Sequence, residues 1–142
     1  MDIRPTITEL YRDYENRDLP KILAALPNDF VFEWHHDPST AQYPGICRNR
    51  DELVVHLNDI ADKFEFNAYH ATNILVDGNR AAAQLQLDLT SKVTGRRFSI
   101  PIAHFWSFKE GTPVHLVEYM DSALMAKHST PAESDTPSPV NA

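Results

Sequence analysis

Hydrophobic residues recur at helical spacing in three segments of the N-terminal half. In the first, Ile7, Leu10, Tyr11 and Tyr14 follow an i, i+3, i+4, i+7 pattern, which places them on one face of a helix. Two further segments have the same spacing, with apolar positions at Ile22, Leu23 and Leu26 and at Leu53, Leu57, Ile60 and Phe64. Residues that commonly cap a helix precede each segment: Thr6 with Glu9, Asp18, and Asn49 with Glu52. The sequence therefore predicts three N-terminal helices.

Alternating apolar and polar residues predict strands in most of the remaining chain. Residues 30–36 alternate in this way, and so do 64–76, 80–93 and 98–121, the last containing two strands. Asp77-Gly78-Asn79 and Thr94-Gly95-Arg96 are typical of turns. Asp121 is placed to cap one terminal helical turn, Ser122 to Ala126. This order predicts an α+β fold, a cone in which three N-terminal helices pack on a curved, mostly antiparallel sheet.

The last two strands carry one histidine and one acid in their interior. If the turn between them holds three residues, Lys109 pairs with Pro113 and His104 lies opposite Glu118, with Cβ atoms roughly 5 Å apart. The other residues predicted on that face are apolar: Ile100, Ile102, Trp106, Phe108, Val114, Leu116 and Met120. A carboxylate and an imidazole in such a pocket are suited to general acid–base chemistry. A slip of one residue would separate the pair.

The register of the neighbouring strand decides which polar groups join this pair. A three-residue turn at 94–96 places His104 opposite Gln86 and Ile102 opposite Asp88, so Gln86 and Asp88 are predicted to orient a ligand. The opposite sheet face would then carry Ala81, Ala83, Leu85, Leu87, Leu89, Ala103, Phe105, Val117 and Tyr119. An apolar surface of that extent usually marks a protein contact, which predicts a homodimer through the sheet face.

Composition limits the possible partners and locations. The 142 residues suffice for one domain, predicted over 1–126, followed by a disordered Ser/Thr/Pro-rich tail over 127–142. With 20 acidic and 13 basic residues and no basic cluster, binding to nucleic acid is not expected. No apolar run approaches the ~20 residues of a membrane helix, so we expect no membrane contact. The single cysteine, Cys47, and the absence of a signal pattern predict a cytoplasmic protein.

Several short motifs, in the order in which they occur, resemble the NTF2-like (cystatin-like) superfamily, particularly its SnoaL-like polyketide cyclase and ketosteroid isomerase-like branch. The motifs are Asn16-Arg17-Asp18-Leu19, residues 28–32, residues 45–50 and the closing HFWSFKEG and VEYMD segments. The cyclases of this branch carry a histidine on the penultimate strand and an acid, usually aspartate, on the last. His104 and Glu118 match those places. The resemblance implies cofactor-independent acid–base chemistry and association into dimers.

These observations define a candidate site for a small apolar carbonyl compound that undergoes cyclisation, isomerisation or a related proton transfer. Glu118 would act as the base and His104 as its partner or as an electrophilic donor, with Gln86 and Asp88 in support. The predicted ligand-binding residues are Phe32, Trp34, His36, Tyr43, Ile102, Trp106, Leu116 and Met120. The helical pattern leaves open whether Tyr11 or Tyr14 reaches the pocket. No metal is expected, because His35 and His36 point to opposite faces of a regular strand.

Other interpretations of the same residues remain. The pair could be a buried ion pair without a catalytic task, inside a non-catalytic module that binds a hydrophobic ligand or forms dimers. Epoxide hydrolases of the same superfamily are less similar, since Gln86 stands where their arginine belongs. Cys47 has no histidine in an obvious dyad and is not expected to be a nucleophile. The histidines outside the pair, His56, His70, His115 and His128, are predicted at the surface or the rim.

Overall fold

Four helices and six strands form the part of the chain that the computed structural model describes, residues 2–35 and 45–131. In order they are α1 (Arg4–Glu15), α2 (Leu19–Ala25), β1 (Val31–His35), β2 (Ile46–Cys47), α3 (Arg50–Lys63), β3 (Phe64–Asp77), β4 (Arg80–Ser91), β5 (Arg97–Lys109), β6 (Thr112–Met120) and α4 (Ser122–Ser129). The predicted α+β fold with three N-terminal helices is confirmed. His36 and Tyr43 lie outside the described residues, and so does the predicted 127–142 tail from residue 132 onward. The first residues of that predicted tail, up to Ser129, belong to α4 instead. In the described ranges, no helix has both the length and the apolar character needed to span a membrane.

One six-stranded sheet runs in the order β2-β1-β6-β5-β4-β3. All neighbouring strands are antiparallel except β1 and β6, which are parallel. Helices α1 and α3 pack against β3, and α4 packs against β5. The inward face of the sheet thus meets the helices, and the predicted mostly antiparallel arrangement is confirmed.

Three of the four helix starts follow the predicted capping chemistry. The side chains of Asp18, Asn49 and Asp121 accept hydrogen bonds from the backbone N–H three residues on, at 3.3, 2.8 and 3.0 Å. The predicted Thr6 cap is wrong, because α1 begins at Arg4 and Ile3 occupies the N-cap position without a side-chain bond. Pro5 explains the earlier start, since proline fits the first helical turn, where an N–H group has no partner within the helix.

The hairpin between β5 and β6 combines a tight turn with a β-bulge. Its two-residue turn, Glu110 and Gly111, has φ angles of +50° and +79°, as a type I′ turn requires. The predicted three-residue turn is therefore wrong. The pairing of His104 with Glu118 is nevertheless confirmed, because Val114 forms a bulge between the pairs Ser107–His115 and Phe108–Pro113. The bulge adds one residue to β6, and this compensates for a turn that is one residue shorter than predicted.

The predicted register between β4 and β5 is wrong. His104 pairs with Ala83 rather than Gln86, and Ile102 pairs with Leu85 rather than Asp88. Strand β4 ends at Ser91, two residues before the predicted end at Val93. The Ser91 Oγ accepts hydrogen bonds from the N–H groups of Val93 and Thr94 at 3.3 and 3.2 Å, which stabilises a longer turn.

This register exchanges the two faces of β4. The residues predicted to form an apolar outer face point inward and are 2–7% exposed: Ala81, Ala83, Leu85, Leu87 and Leu89. Gln86 lies on the outer face, as does Asp88. Their predicted contribution to the pocket is therefore not supported. The extended apolar face proposed for a dimer is reduced to the β5 and β6 part.

Candidate active site

A cavity of about 330 Å³ lies between the helices and the inward face of the sheet. Its walls are mostly aliphatic and aromatic, and its volume lies at the lower end of the range of ligand pockets. Six of the eight predicted ligand-binding residues line it: Phe32, Trp34, Ile102, Trp106, Leu116 and Met120. The other two are His36 and Tyr43, which fall outside the described ranges. Sequence alternation thus located the walls on β1, β5 and β6.

His104 and Glu118 meet within this cavity. The His104 Nε2 lies 2.9 Å from Glu118 Oε1, and the two side chains are 4% and 15% exposed. Both residues line the cavity, and they sit directly opposite each other on β5 and β6. Of the two carboxylate oxygens of Glu118, only Oε1 forms a hydrogen bond with a described residue. The second carboxylate oxygen has no hydrogen-bond partner among the described residues.

Tyr11 extends the pair into a chain of hydrogen bonds. Its hydroxyl lies 2.9 Å from His104 Nδ1 and accepts a hydrogen bond from Trp106 Nε1 at 2.8 Å. Burial raises the pKa of the Tyr11 phenol well above its usual value, so the hydroxyl keeps its proton and can donate it to Nδ1. The imidazole then carries its proton on Nε2 and donates to Glu118. Both ring nitrogens of His104 are engaged inside the protein.

Aromatic residues beyond the predicted set complete the walls. Both Tyr11 and Tyr14 line the cavity, which resolves the choice that the helical pattern left open. Tyr69, on β3, packs against both, with ring centroids 6.1 and 4.7 Å away. His56, on α3, is 7% exposed and stacks on Trp34 at 4.1 Å, so its predicted surface position is wrong. In the sequence, only the alternation of apolar and polar residues within β3 could have indicated that Tyr69 faces the cavity.

Gln86 and Asp88 serve strand-to-strand contacts on the outer face. Arg97 donates three hydrogen bonds to the Asp88 carboxylate, from Nε at 2.9 and 3.2 Å and from an Nη atom at 2.8 Å, and these lower the pKa of Asp88 below its usual value. The Gln86 amide donates to Ser99 Oγ at 2.7 Å. Neither residue lines the cavity. The structure brings together two of the four predicted catalytic residues and separates the other two from them.

The remaining reactive side chains do not join this site. Burial, with a smaller contribution from Glu52, raises the pKa of the Cys47 thiol to about 11, which leaves it protonated at neutral pH. On the outer face, the Glu33 carboxylate lies 2.6 Å from His115 Nε2 and 3.3 Å from His35 Nε2. Within residues 2–35 and 45–131, no three His, Cys, Asp or Glu side chains are placed to share a metal ion.

Replacing Tyr11 with phenylalanine tests the hydrogen-bond chain. Tyr11→Phe leaves Trp106 Nε1 and His104 Nδ1 without their buried partner, so we expect a loss of about 1–3 kcal/mol in the free energy of unfolding. Urea denaturation measures the loss. Tyr119→Phe is the matched control, because Tyr119 is 46% exposed and the same change there should cost under about 0.5 kcal/mol. Equal losses of unfolding free energy in the two variants would contradict the proposed chain of hydrogen bonds.

Comparison with known proteins covers most of the chain. Residues 7–116 match the family model of the SnoaL-like domain. An NTF2-like protein of unknown function from Burkholderia pseudomallei is 25% identical, with a TM-score of 0.84 over 92% of this chain and 100% of that one. A proposed isomerase from Bacillus subtilis has a TM-score of 0.78 at 13% identity, covering 90% and 95% of the two chains. A proposed polyketide cyclase from Pseudomonas putida has a TM-score of 0.74 at 14% identity, covering 92% and 99%. Curated proteins gave no match.

Proposed function

This chain belongs to the SnoaL-like domain family, and from the geometry of its cavity we propose that it is an enzyme that moves a proton on a small apolar carbonyl compound. Its fold is the NTF2-like fold that the sequence motifs predicted. The proposed chemistry is cyclisation, isomerisation or a related proton transfer next to the carbonyl group. It requires no cofactor, because a carboxylate suffices to take the proton.

The observation that supports this proposal most directly is a carboxylate held inside an aromatic cavity with one oxygen uncommitted. His104 fixes Glu118 through Oε1 at 2.9 Å, and the other oxygen faces no protein donor among the described residues. A general base must lie within hydrogen-bond reach of the proton that it abstracts. The walls formed by Trp106 and Leu116 suit the apolar part of a ligand. Glu118 is therefore the proposed base.

His104 acts in this proposal as the partner that orients Glu118. Its two ring nitrogens are engaged by Tyr11 and Glu118, and the side chain is only 4% exposed. A direct donation from the imidazole to a ligand would require one of these bonds to break. Of the two roles predicted from the sequence, partner of the base is favoured over electrophilic donor.

Exchange of carbon-bound hydrogen tests the proposal without knowledge of the natural substrate. The probe is 2-tetralone, a small apolar ketone with acidic hydrogens beside its carbonyl group. Incubated in D2O with the protein and followed by proton NMR, it should lose those signals faster than in buffer alone. Saturable binding of 2-tetralone with no acceleration of exchange would instead favour the rival proposal, a non-catalytic module for hydrophobic ligands.

We also propose that the protein forms a homodimer through the outer sheet face. Phe105 and Tyr119 are 50% and 46% exposed there, with ring centroids 5.8 Å apart. Exposed aromatic residues on one surface are common at protein contacts. Analytical ultracentrifugation at micromolar concentration should show a dimer, which Phe105→Glu should convert to a monomer. Val55→Glu, at a residue on α3 that is 70% exposed, is the control that should leave the dimer intact.

A further inference from the structure

Polar side chains gather at one end of the cavity. Apart from Glu118 and the aromatic and imidazole rings, four of the described lining residues are polar: Lys63, Ser91, Ser129 and Thr130. Lys63 is the last residue of α3, Ser91 the last of β4 and Ser129 the last of α4. We call these four residues the polar rim.

Hydrogen bonds between the element ends hold the polar rim together. The backbone N–H of Lys92, next to Ser91, donates to the Lys63 carbonyl at 2.8 Å. The Thr94 hydroxyl donates to the carbonyl of His128 at 2.7 Å, which connects the turn after β4 to the end of α4. The ends of α3, β4 and α4 therefore meet at the same edge of the cavity. This edge is open to solvent, since Thr130 is exposed.

Lys63 gives the polar rim a positive charge. It is the only lysine or arginine among the described residues that line the cavity. Its ammonium lies 3.3 Å from Asp59 Oδ1, one turn earlier on α3, and 29% of the Lys63 side chain is exposed. A solvent-accessible ion pair between residues one helical turn apart contributes little to stability. The carboxylate of a ligand can therefore compete with Asp59 for the ammonium.

The negative ends of α3 and α4 would by themselves oppose an anion at the polar rim, because the last carbonyl groups of a helix carry partial negative charge. Two cationic side chains bind these carbonyls. Lys92 Nζ donates to the Ala61 carbonyl at 2.8 Å, and an Nη atom of Arg96 donates to the Lys127 carbonyl at 2.9 Å. Their charges offset the helix ends, so an anion at the rim meets cations first.

We infer that the polar rim binds the carboxylate of an amphipathic acid whose apolar body fills the cavity. Lys63 pairs with the carboxylate in a charge-assisted hydrogen bond. The Ser91 hydroxyl accepts from two backbone N–H groups and still has one proton to donate. The inference rests on the proposed function and narrows its substrate class to carbonyl compounds with a carboxylate remote from the reacting carbon. Glu118 disfavours the reverse orientation, because two carboxylates close together in an apolar cavity repel each other.

Two matched probes test this inference. 2-Naphthoate is an anion at neutral pH, and 2-naphthamide is a neutral molecule of nearly the same shape. Calorimetry should show that 2-naphthoate binds about tenfold more tightly than the amide, as expected for a hydrogen bond to a charged group. Added salt should weaken the binding of 2-naphthoate alone. Because the naphthalene rings occupy the cavity, 2-naphthoate should also displace 2-tetralone.

Three variants assign the preference to Lys63. Lys63→Met keeps an unbranched side chain without the charge, and it should weaken 2-naphthoate binding roughly tenfold while leaving 2-naphthamide unchanged. Asp59→Asn removes the competing carboxylate and should strengthen the binding of 2-naphthoate. Lys127→Met is the matched control, since it removes one charge from an exposed residue of α4 that does not line the cavity. Its affinity for 2-naphthoate should stay within about twofold of the wild type. Circular dichroism confirms that the variants fold.

The outcomes separate this inference from the proposed function. Equal wild-type affinities for the two probes would overturn it, and so would 2-naphthoate binding that leaves 2-tetralone in place. Equal losses of affinity in Lys63→Met and Lys127→Met would show a general effect of charge and would overturn the contact with Lys63. None of these results depends on hydrogen exchange, so Glu118 can prove to be the base in a protein whose rim binds no anion. If Lys63→Met does not fold, the wild-type comparison and an unchanged affinity in Asp59→Asn remain sufficient to refute the inference.

Discussion

Glu118→Gln is expected to lower the rate of hydrogen exchange on 2-tetralone by about 10²–10⁴-fold, the usual contribution of a positioned base. The amide keeps the size of the side chain and an oxygen that can accept from His104 Nε2, so the cavity should retain its shape. It has no basic oxygen that can take a proton from carbon. The binding of 2-tetralone should therefore change little while the exchange rate falls, as NMR and calorimetry would show.

Glu33→Gln provides the matched control for this variant. Glu33 also pairs with a histidine, His115, at 2.6 Å, but on the outer face of the sheet. The same chemical change there should leave the exchange rate within about twofold of the wild type, because the cavity is untouched. Retained exchange in Glu118→Gln would show that another group removes the proton and would end the assignment of Glu118 as base.

The second large effect is expected from two adjacent residues on β4 that face opposite sides. Leu85→Asp should destabilise the fold by about 4 kcal/mol or more, since it places a charge at a side chain that is 2% exposed. Gln86→Asp should cost under about 1 kcal/mol, because Gln86 is exposed and loses only a hydrogen bond to Ser99. Urea denaturation of both variants measures the difference.

This comparison decides the register between β4 and β5. With the register predicted from the sequence, Gln86 would lie in the cavity beside His104 and Leu85 would lie outside. Greater destabilisation by Gln86→Asp than by Leu85→Asp would support that arrangement against the pairing of His104 with Ala83. The pair therefore tests a structural assignment without reference to activity.

The sequence predicted the fold well wherever periodic patterns are long. The helices, the strand order within the meander and the cap residues Asp18, Asn49 and Asp121 follow from local spacing. Register depends on turns, and short turns are harder to count. At the β5–β6 hairpin, a turn one residue shorter than expected is offset by the bulge at Val114. After β4 no such compensation occurs, because the Ser91 side chain ends the strand early.

The same reason explains which site residues were found. His104 and Glu118 lie on adjacent strands joined by a tight turn, so their opposition could be predicted from alternation and family resemblance. Tyr11 lies 93 residues before His104, and no local pattern indicates their contact. Gln86 and Asp88 were misplaced because alternating leucines and polar residues on β4 fit either face until the register is known.

The protein contains two tryptophans, Trp34 and Trp106, and both line the cavity. The Trp106 indole also donates to Tyr11 at 2.8 Å, which connects it directly to the His104–Glu118 pair. Indole emission responds to the polarity around the ring and to nearby quenchers. The intrinsic fluorescence of the unlabelled protein therefore comes from tryptophans that line the cavity. Recording this fluorescence while compounds are titrated into the protein would reveal which of them enter the cavity.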